Sequence, residues 1–492
     1  MKRSSCNSNF QCKDTSGSER EVFSIYLFHL YMRTQSFTIY LFNYTRVSHT
    51  TRYLVFLMFL MLSIQVNSQE KWTLNECINY AIKNNLEIHQ ADLNVQIAGQ
   101  GYQKSKWSLT PIVGAGANAG RSYGRSVDPN TNGIINTAFF NNSYYLGASL
   151  DVFRGFMLQN QIRYQKFKKE SAENFRDNAT DDLAFEVMNA FFNVVYQEEL
   201  LKIALEQKAI SELNVKKTEI LVTTGLKAQP ELLEVKANFE KDELFCLQTT
   251  NSIESAWIRL KKAMNLPPDQ SIKLATEEEN IITGEEINTN IAELFKEHCQ
   301  RSPLIRMAEN DWKASRKNVN IQKAGFLPSI TLQASYNTGF YETNKDASQQ
   351  TIAFNSQIKN NQSEFVGATI SIPIFSKNIV RYDVLQSRLY TEQAETKLSQ
   401  SKQSLLYEME QNYNDLTASW KELQQSGNQL EADKLAFQAA QKKYDQGMTS
   451  AIEFNTVKNR LATTASQVLH SRLTLEIKKR TLDFYKGKRF WE

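Results

Sequence analysis

Residues 405–447 read LLYEMEQNYNDLTASWKELQQSGNQLEADKLAFQAAQKKYDQG. Met409, Leu416, Leu423, Leu430, Phe437 and Tyr444 recur in this stretch at a strict interval of seven. Across residues 376–446 there is no proline, and Gly427 is the only glycine. A straight helix drifts about 20° per heptad against a period of seven, so five steps imply about 100° of left-handed supercoil. At about 1.5 Å per residue, a helix of roughly 70 residues is about 100 Å long. A rod of that length does not fit inside one globular domain; it belongs to a coiled coil or to the wall of a helical tube. The stripe reads as a packing seam, not as a cofactor box.

The same plan occurs once before. Phe153, Gly225, Glu231, Val235 and Lys236 reappear at a constant offset of 222 as Phe375, Gly447, Glu453, Val457 and Lys458. Val187, Val194, Leu201, Lys208, Val215 and Val222 match the stripe, which only the lysine breaks. Residues 156–224 hold neither Gly nor Pro. Pro111 and Pro328 give a nearby offset of 217, so insertions fall between the landmarks. The expected organisation is a first repeat over 69–282 and a second over 283–492, with a linker near 267–290. Each repeat reads helix, strand, loop, strand, long helix, turn, helix. The shorter helices are expected over 73–107, 231–265, 289–325 and 450–486. Two such helices laid end to end match one long helix.

Between the helices, Tyr144, Leu146, Ala148, Leu150 and Val152 alternate with Tyr145, Gly147, Ser149 and Asp151. Ile330, Leu332, Ala334 and Tyr336 form a second apolar row, and Val366, Ala368, Ile370 and Ile372 a third. Segments of about ten residues with one apolar and one small or polar face have the pattern of transmembrane β-barrel strands. The intervening loops, 121–143 and 339–363, are rich in Asn, Ser, Thr and Gly, with aromatics at their edges. Strands are expected near 110–155 and 327–376, with Leu150, Ile370 and Ile372 facing lipid. Any one strand alone would equally suit a half-buried soluble sheet. Four strands cannot close a barrel by themselves, and lipid does not tolerate an open edge, so several chains must contribute.

Composition agrees with long elements. Gly 18 and Pro 8 make about 5% of the 492 residues, against about 12% in ordinary proteins. With 41% hydrophobic residues and a mean hydropathy of -0.47, a bundle of transmembrane helices is excluded. The net charge of +4 comes from residues 1–68, which hold 7 Lys/Arg and 3 Asp/Glu; the remainder has 50 of each. A nucleic-acid partner is not expected without a basic footprint.

Residues 1–68 read as a leader with a secretory signal peptide. Arg46 and Arg52 precede the apolar run Tyr53–Ile64, which is shorter than the about 20 residues a spanning helix needs. Val66-Asn67-Ser68 then supplies a cleavage site before Gln69. Residues 1–31 fit one signal poorly, and a start at Met32 would give a more ordinary length. Beyond the leader, Cys77, Cys246 and Cys299 are too few and too widely spaced for a disulfide framework or a metal cluster.

No catalytic residue, cofactor site or metal site is expected. His89, His298 and His470 each lack a second ligand at metal spacing. Gly114-Ala-Gly116-Ala-Asn-Ala-Gly120 superficially resembles a dinucleotide fingerprint, but its last glycine comes one residue late and no βαβ unit surrounds it. Two classes of function remain: a passive conduit, and a secreted or surface coiled-coil scaffold without a pore.

The tandem repeat, the Trp72-Thr-Leu-Asn-Glu-Cys-Ile-Asn-Tyr-Ala81 opening and the Ile372-Pro-Ile-Phe375 strand exit resemble the TolC family of outer-membrane efflux proteins. The tip segments Gly225-Leu-Lys-Ala-Gln-Pro-Glu-Leu-Leu233 and Gly447-Met-Thr-Ser-Ala-Ile-Glu-Phe454 carry the resemblance most specifically. It implies a mixed α and β membrane protein: a tandem-repeat protomer of a homotrimeric 12-stranded transmembrane β-barrel, continued by a 12-helix periplasmic coiled-coil tunnel. It also implies an exit duct in the outer membrane of a Gram-negative bacterium. The partners implied are outer-membrane lipid, a periplasmic adaptor and an inner-membrane pump of RND or ABC type. Asn84-Asn85 and Ser302-Pro303 stand where the family has Asn-Pro.

The resemblance places the tip turns and the adaptor contact at Gly225, Leu226, Gly447 and Met448. It places the tunnel entrance and its gate at Glu453, Glu231 and Tyr444, with a hydrogen bond expected between Tyr444 and Glu231. Thr449 and Thr456 stand where the family often has an arginine and a second acidic group. Apart from the resemblance, Glu231 and Glu453 are equally favourable first-turn carboxylates near a helix N-terminus.

Overall fold

The structure is a computed structural model describing residues 71–127, 132–275 and 289–491. The expected leader and the expected repeat boundary at 282/283 lie outside the described residues. The first half runs β1 (Lys71–Trp72), α1 (Leu74–Asn84), α2 (Leu86–Trp107) and β2 (Ile112–Ser122). A short hairpin follows, β3 (Arg125–Val127) with β4 (Ile134–Asn136), then β5 (Phe139–Arg154). Next come α3 (Met157–Thr223), 67 residues long, and α4 (Gln229–Met264). β6 (Lys273–Leu274) pairs in parallel with β1. The second half runs α5 (Ile291–Arg301), α6 (Pro303–Lys323), β7 (Ser329–Tyr341), α7 (Phe354–Asn360) and β8 (Ser363–Ser371). It ends with α8 (Ile379–Asp445), again 67 residues, and α9 (Ala451–Tyr485).

The long helices keep the offset of 222 at both ends, Met157 to Ile379 and Thr223 to Asp445. Their approaches match as well. Gly155 and Phe156 have φ of 59° and 62°, and Lys377 and Asn378 have 52° and 60°. Two successive left-handed residues therefore turn each copy from sheet into helix.

The opening helix of each repeat is not continuous, contrary to the single helices expected over 73–107 and 289–325. It breaks at Asn85 and Ser302, both outside helical backbone and offset from each other by 217. The Asn85 side chain accepts hydrogen bonds from the backbone N–H groups of Glu87 and Ile88, capping α2. Pro303 causes the break in the second copy, because a proline disfavours helical backbone at the residue before it.

The helices form one layer. In the half near the sheet the order is α2, α3, α6, α8, and in the far half it is α4, α3, α9, α8. Met409, Leu416 and Tyr444 of the heptad stripe are buried, whereas Leu423, Leu430 and Phe437 are half-buried. A second buried row runs beside them at the same interval: Leu398, Leu405, Asn412, Ser419, Ser426 and Asp433. Its small and polar members let neighbouring helices approach closely and carry hydrogen-bonded rungs. Ser211 donates to Asp242 at 2.5 Å in the first copy. In the second, Thr464 donates to Asp433 at 2.8 Å. The offset of 222 relates Ser211 to Asp433 and Asp242 to Thr464, so donor and acceptor exchange sides between the copies.

The main sheet is antiparallel in the order β2-β5-β7-β8. Its register sets Leu150 opposite Leu332, Ala148 opposite Ala334, and Ile330 opposite Ile370, which brings the three apolar rows onto one face. Thr331, Thr369, Ser149 and Asp151 share the other. Val152 departs from the expected alternation: it is the extra residue of a bulge between Asp151 and Phe153, so Phe153 takes the place opposite Ile330. The strands also run further into the expected loops, β5 starting at Phe139 and β7 ending at Tyr341. Past the end of β8, Gln357 of α7 stands in for a strand. It accepts from the Tyr341 N–H at 3.0 Å and donates to the Tyr341 carbonyl at 3.1 Å. Among the described residues, no helix is long and apolar enough to cross a membrane.

Candidate functional site

At the end remote from the sheet, α3 and α8 each stop on a glycine of positive φ, 78° at Gly225 and 73° at Gly447. Both turns are Schellman motifs. The Leu226 N–H donates to the Leu221 carbonyl and the Gly225 N–H to that of Val222. In the second copy, Met448 donates to Lys443 and Gly447 to Tyr444. The motif turns Leu226 and Met448 outward, and they are 74% and 66% exposed.

The two tips touch. Lys217 near the end of α3 bonds Asp445 at the end of α8 at 2.7 Å, and that hydrogen bond, foremost, holds the Asp445 carboxyl below its ordinary range. Tyr444 is buried beneath them, stacked on Phe454 with ring centroids 4.9 Å apart. Its hydroxyl lies 3.5 Å from that of Thr218.

The expected hydrogen bond between Tyr444 and Glu231 is not made. Lys227 comes between them. Its ammonium pairs with the Glu231 carboxylate and lies 5.0 Å over the Tyr444 ring. From the turn before α4, Lys227 reaches forward to the carboxylate in the first turn of that helix, and the turn also places the cation over the aromatic face, where the ring quadrupole attracts it. The Lys-x-x-x-Glu spacing was the sequence signal for this contact, masked because Lys227 lies in the turn before α4 begins.

Glu453 sits in the first turn of α9 and is exposed. Its N–H donates to the Ser450 hydroxyl at 3.2 Å, and its carboxylate accepts from Thr449 at 2.5 Å. Thr449, where an arginine was the family expectation, thus holds the acid by a hydroxyl hydrogen bond without a countercharge. Thr456 donates to the Ile452 carbonyl within its own helix. Glu231 and Glu453 occupy the same place in the two copies, one engaged by a cation and one open to solvent.

Above the tips lies a second polar contact that the sequence reading did not single out. Lys458 of α9 is 1% exposed and donates to Ser211 at 2.6 Å and to the Asp242 carboxylate. Among the described residues, no group of three or more His, Cys, Asp or Glu could hold a metal ion. Cys77 and Cys246 are buried free thiols and Cys299 is half-buried.

The family model described as outer membrane efflux protein matches residues 77–266 and 294–488, one stretch in each half of the chain. The chain belongs to the outer membrane efflux protein family. Membership places this efflux-family chain in the outer membrane of a Gram-negative bacterium. It is 23% identical to the outer membrane protein TolC of Escherichia coli over 342 residues, 68% of this chain and 66% of that relative. The alignment thus spans just under two thirds of the relative's length. Among solved structures, the CmeC outer membrane channel of Campylobacter jejuni shares the fold at a TM-score of 0.72 and 16% identity, over 85% of this chain and 86% of that one. The MtrE outer membrane channel of Neisseria gonorrhoeae does so at 0.68 and 20%, over 85% and 90%.

Proposed function

We propose that the chain is the exit duct of a tripartite efflux or type I secretion system, passively conducting cargo out of the cell. Three copies of the four-stranded sheet make a 12-stranded barrel, and three copies of the four-wide helix layer make a 12-helix tunnel in the periplasm. The observation that carries this reading is the sheet itself: β2 and β8 end it with unpaired edges, on a structure whose apolar rows share one face. Such edges in lipid must be closed.

The exposed tip residues Leu226 and Met448 dock the periplasmic adaptor, and an inner-membrane pump of RND or ABC type supplies the cargo. Glu453, with Glu231, lines the entrance, and Tyr444 is packed behind them. Three copies of an exposed acid at one level favour cations, while Lys227 reduces the charge at the Glu231 level. No observation favours the pore-free scaffold.

The test is purification from outer membranes followed by planar-bilayer recording. Heat-modifiable trimers that conduct are expected, and an elongated soluble dimer without conductance would overturn the reading. Cysteines at Leu226 or Met448 should cross-link to the adaptor in cells.

A further inference from the structure

The internal repeat extends to the hydrogen-bond register of the sheet. In the first copy Val113 pairs with Ala148; in the second, Ile330 pairs with Ile370. Ile330 is offset from Val113 by 217, and Ile370 is offset from Ala148 by 222. Those are the offsets that relate the helices, and they carry the β2–β5 register onto that of β7–β8 residue for residue.

One seam of the sheet joins the two copies, β5 against β7, with Ala148 opposite Ala334. The offsets turn β5 into β8 and β7 into β2, the two edges that have no partner. We infer that the edge of β8 pairs antiparallel with β2 of a second copy in the register of the β5–β7 seam, setting Ile370 opposite the partner's Ala117. The offset of 222 takes Ala148 to Ile370, and the offset of 217 takes Ala117 to Ala334. The paired stretch runs from Phe365 opposite the partner's Ser122 to Ser371 opposite the partner's Gly116. This rests on the ring assembly proposed above and specifies how the ring closes.

The faces of the two strands agree in that register. It sets Ile370, Ala368 and Val366 against alanine, alanine and Arg121 of the partner subunit on the apolar face, and Thr369 against the partner's Asn118 on the polar one. A slip of one residue would send every side chain of one strand to the wrong face. In the isolated chain β2 and β8 are exposed along almost their whole length, whereas β5 and β7, each flanked on both sides, are buried or half-buried at more than half of their positions.

A slip of two residues preserves the faces, so the experiment must separate those registers. Directly opposed residues lie about 4.5–5.5 Å apart between Cα atoms, within the about 4.4–6.8 Å a disulfide spans. Partners displaced by two lie about 7–8 Å apart. The full chain, with Cys77, Cys246 and Cys299 replaced by alanine, would carry Ile370→Cys together with Ala115→Cys, Ala117→Cys or Ala119→Cys. A fourth variant would carry Thr369→Cys with Asn118→Cys. Membranes are oxidised with copper phenanthroline and run on non-reducing gels, and the reduced samples are sized by light scattering in detergent.

The expected result is a covalent trimer from the 370/117 pair, from the 369/118 pair or from both, with at least tenfold less from 370/115 and 370/119. Preferential linkage through position 115 or 119 would overturn the register while leaving the ring standing. Trimers by light scattering that link through none of the pairs would overturn the seam itself. Reduced samples that are not trimers would instead remove the ring reading on which the inference rests.

Discussion

Lys458 of the second copy buries its ammonium against the Asp242 carboxylate of the first, so the two halves of the chain share a charge pair inside the helix layer. Removing one member of a buried pair leaves the other unpaired, which costs about 3–5 kcal/mol, whereas replacing both by apolar groups is often neutral. Lys458→Met should therefore lower the denaturation midpoint in detergent strongly, and Lys458→Met with Asp242→Leu should recover most of the loss. Equal midpoints for wild type and the single variant would show that the pair contributes nothing.

The same substitution should act in opposite directions at different glycines. Gly225→Ala and Gly447→Ala force alanine into left-handed backbone, at about 1–2 kcal/mol each. Gly427 lies inside α8 with no heavy atom within 4 Å of an added Cβ. Gly427→Ala should stabilise by about 0.5–1 kcal/mol through the lost entropy of the unfolded chain. Chemical denaturation of the three variants checks the signs.

His298 is buried between α5 and α9, facing Phe484 and Tyr485. Burial first, and the Arg301 charge to a lesser degree, hold its imidazole below the ordinary 6.5. The unfolded chain therefore takes up the proton at a higher pH than the folded one. The stability this group contributes is complete above pH 6.5 and declines as the pH falls below it. His298→Gln should flatten that decline in thermal melts between about pH 7 and 5; an unchanged slope would assign the acid sensitivity elsewhere.

In the proposed barrel, Ile370→Arg puts a charge on the lipid face and Thr369→Arg puts one on the lumen face. The first should cost about 2–4 kcal/mol near the bilayer midplane and the second much less. Trimer yield in outer membranes reads the difference, and equal losses would argue against a membrane barrel.

At the entrance, Glu453→Gln should lower cation selectivity in planar bilayers. Tyr444→Phe with Glu231→Gln should raise single-channel conductance by loosening the tip. Because Lys227 links those two side chains, Lys227→Met should raise conductance as well. Intact trimers with unchanged conductance and selectivity in all three would leave Glu231 and Glu453 as ordinary helix-terminus carboxylates.

The sequence by itself determined what is periodic and local. Seven-residue spacing marked one seam of α8, alternation marked the faces of β5, β7 and β8, and glycines after long runs marked the tips. Each follows from the geometry of a single element, which every residue in it obeys independently of the rest of the chain. The second seam stayed hidden because Asn412, Ser419, Ser426 and Asp433 are polar or small, and hydropathy registers only apolar burial. The break at Asn85 depends on a one-residue cap, too short to disturb a helical pattern, and the break at Ser302 on Pro303, whose effect on the residue before it apolar periodicity does not register. Which side chain meets which across the molecule was decided only by tertiary structure. Tyr444 found Thr218, Phe454 and Lys227 instead of Glu231, and Lys458 found Asp242 in the other copy. Such contacts depend on the rotation and height of one long helix against another. A shift of a single residue along the helix turns a side chain by about 100°, and no pattern within either helix encodes that.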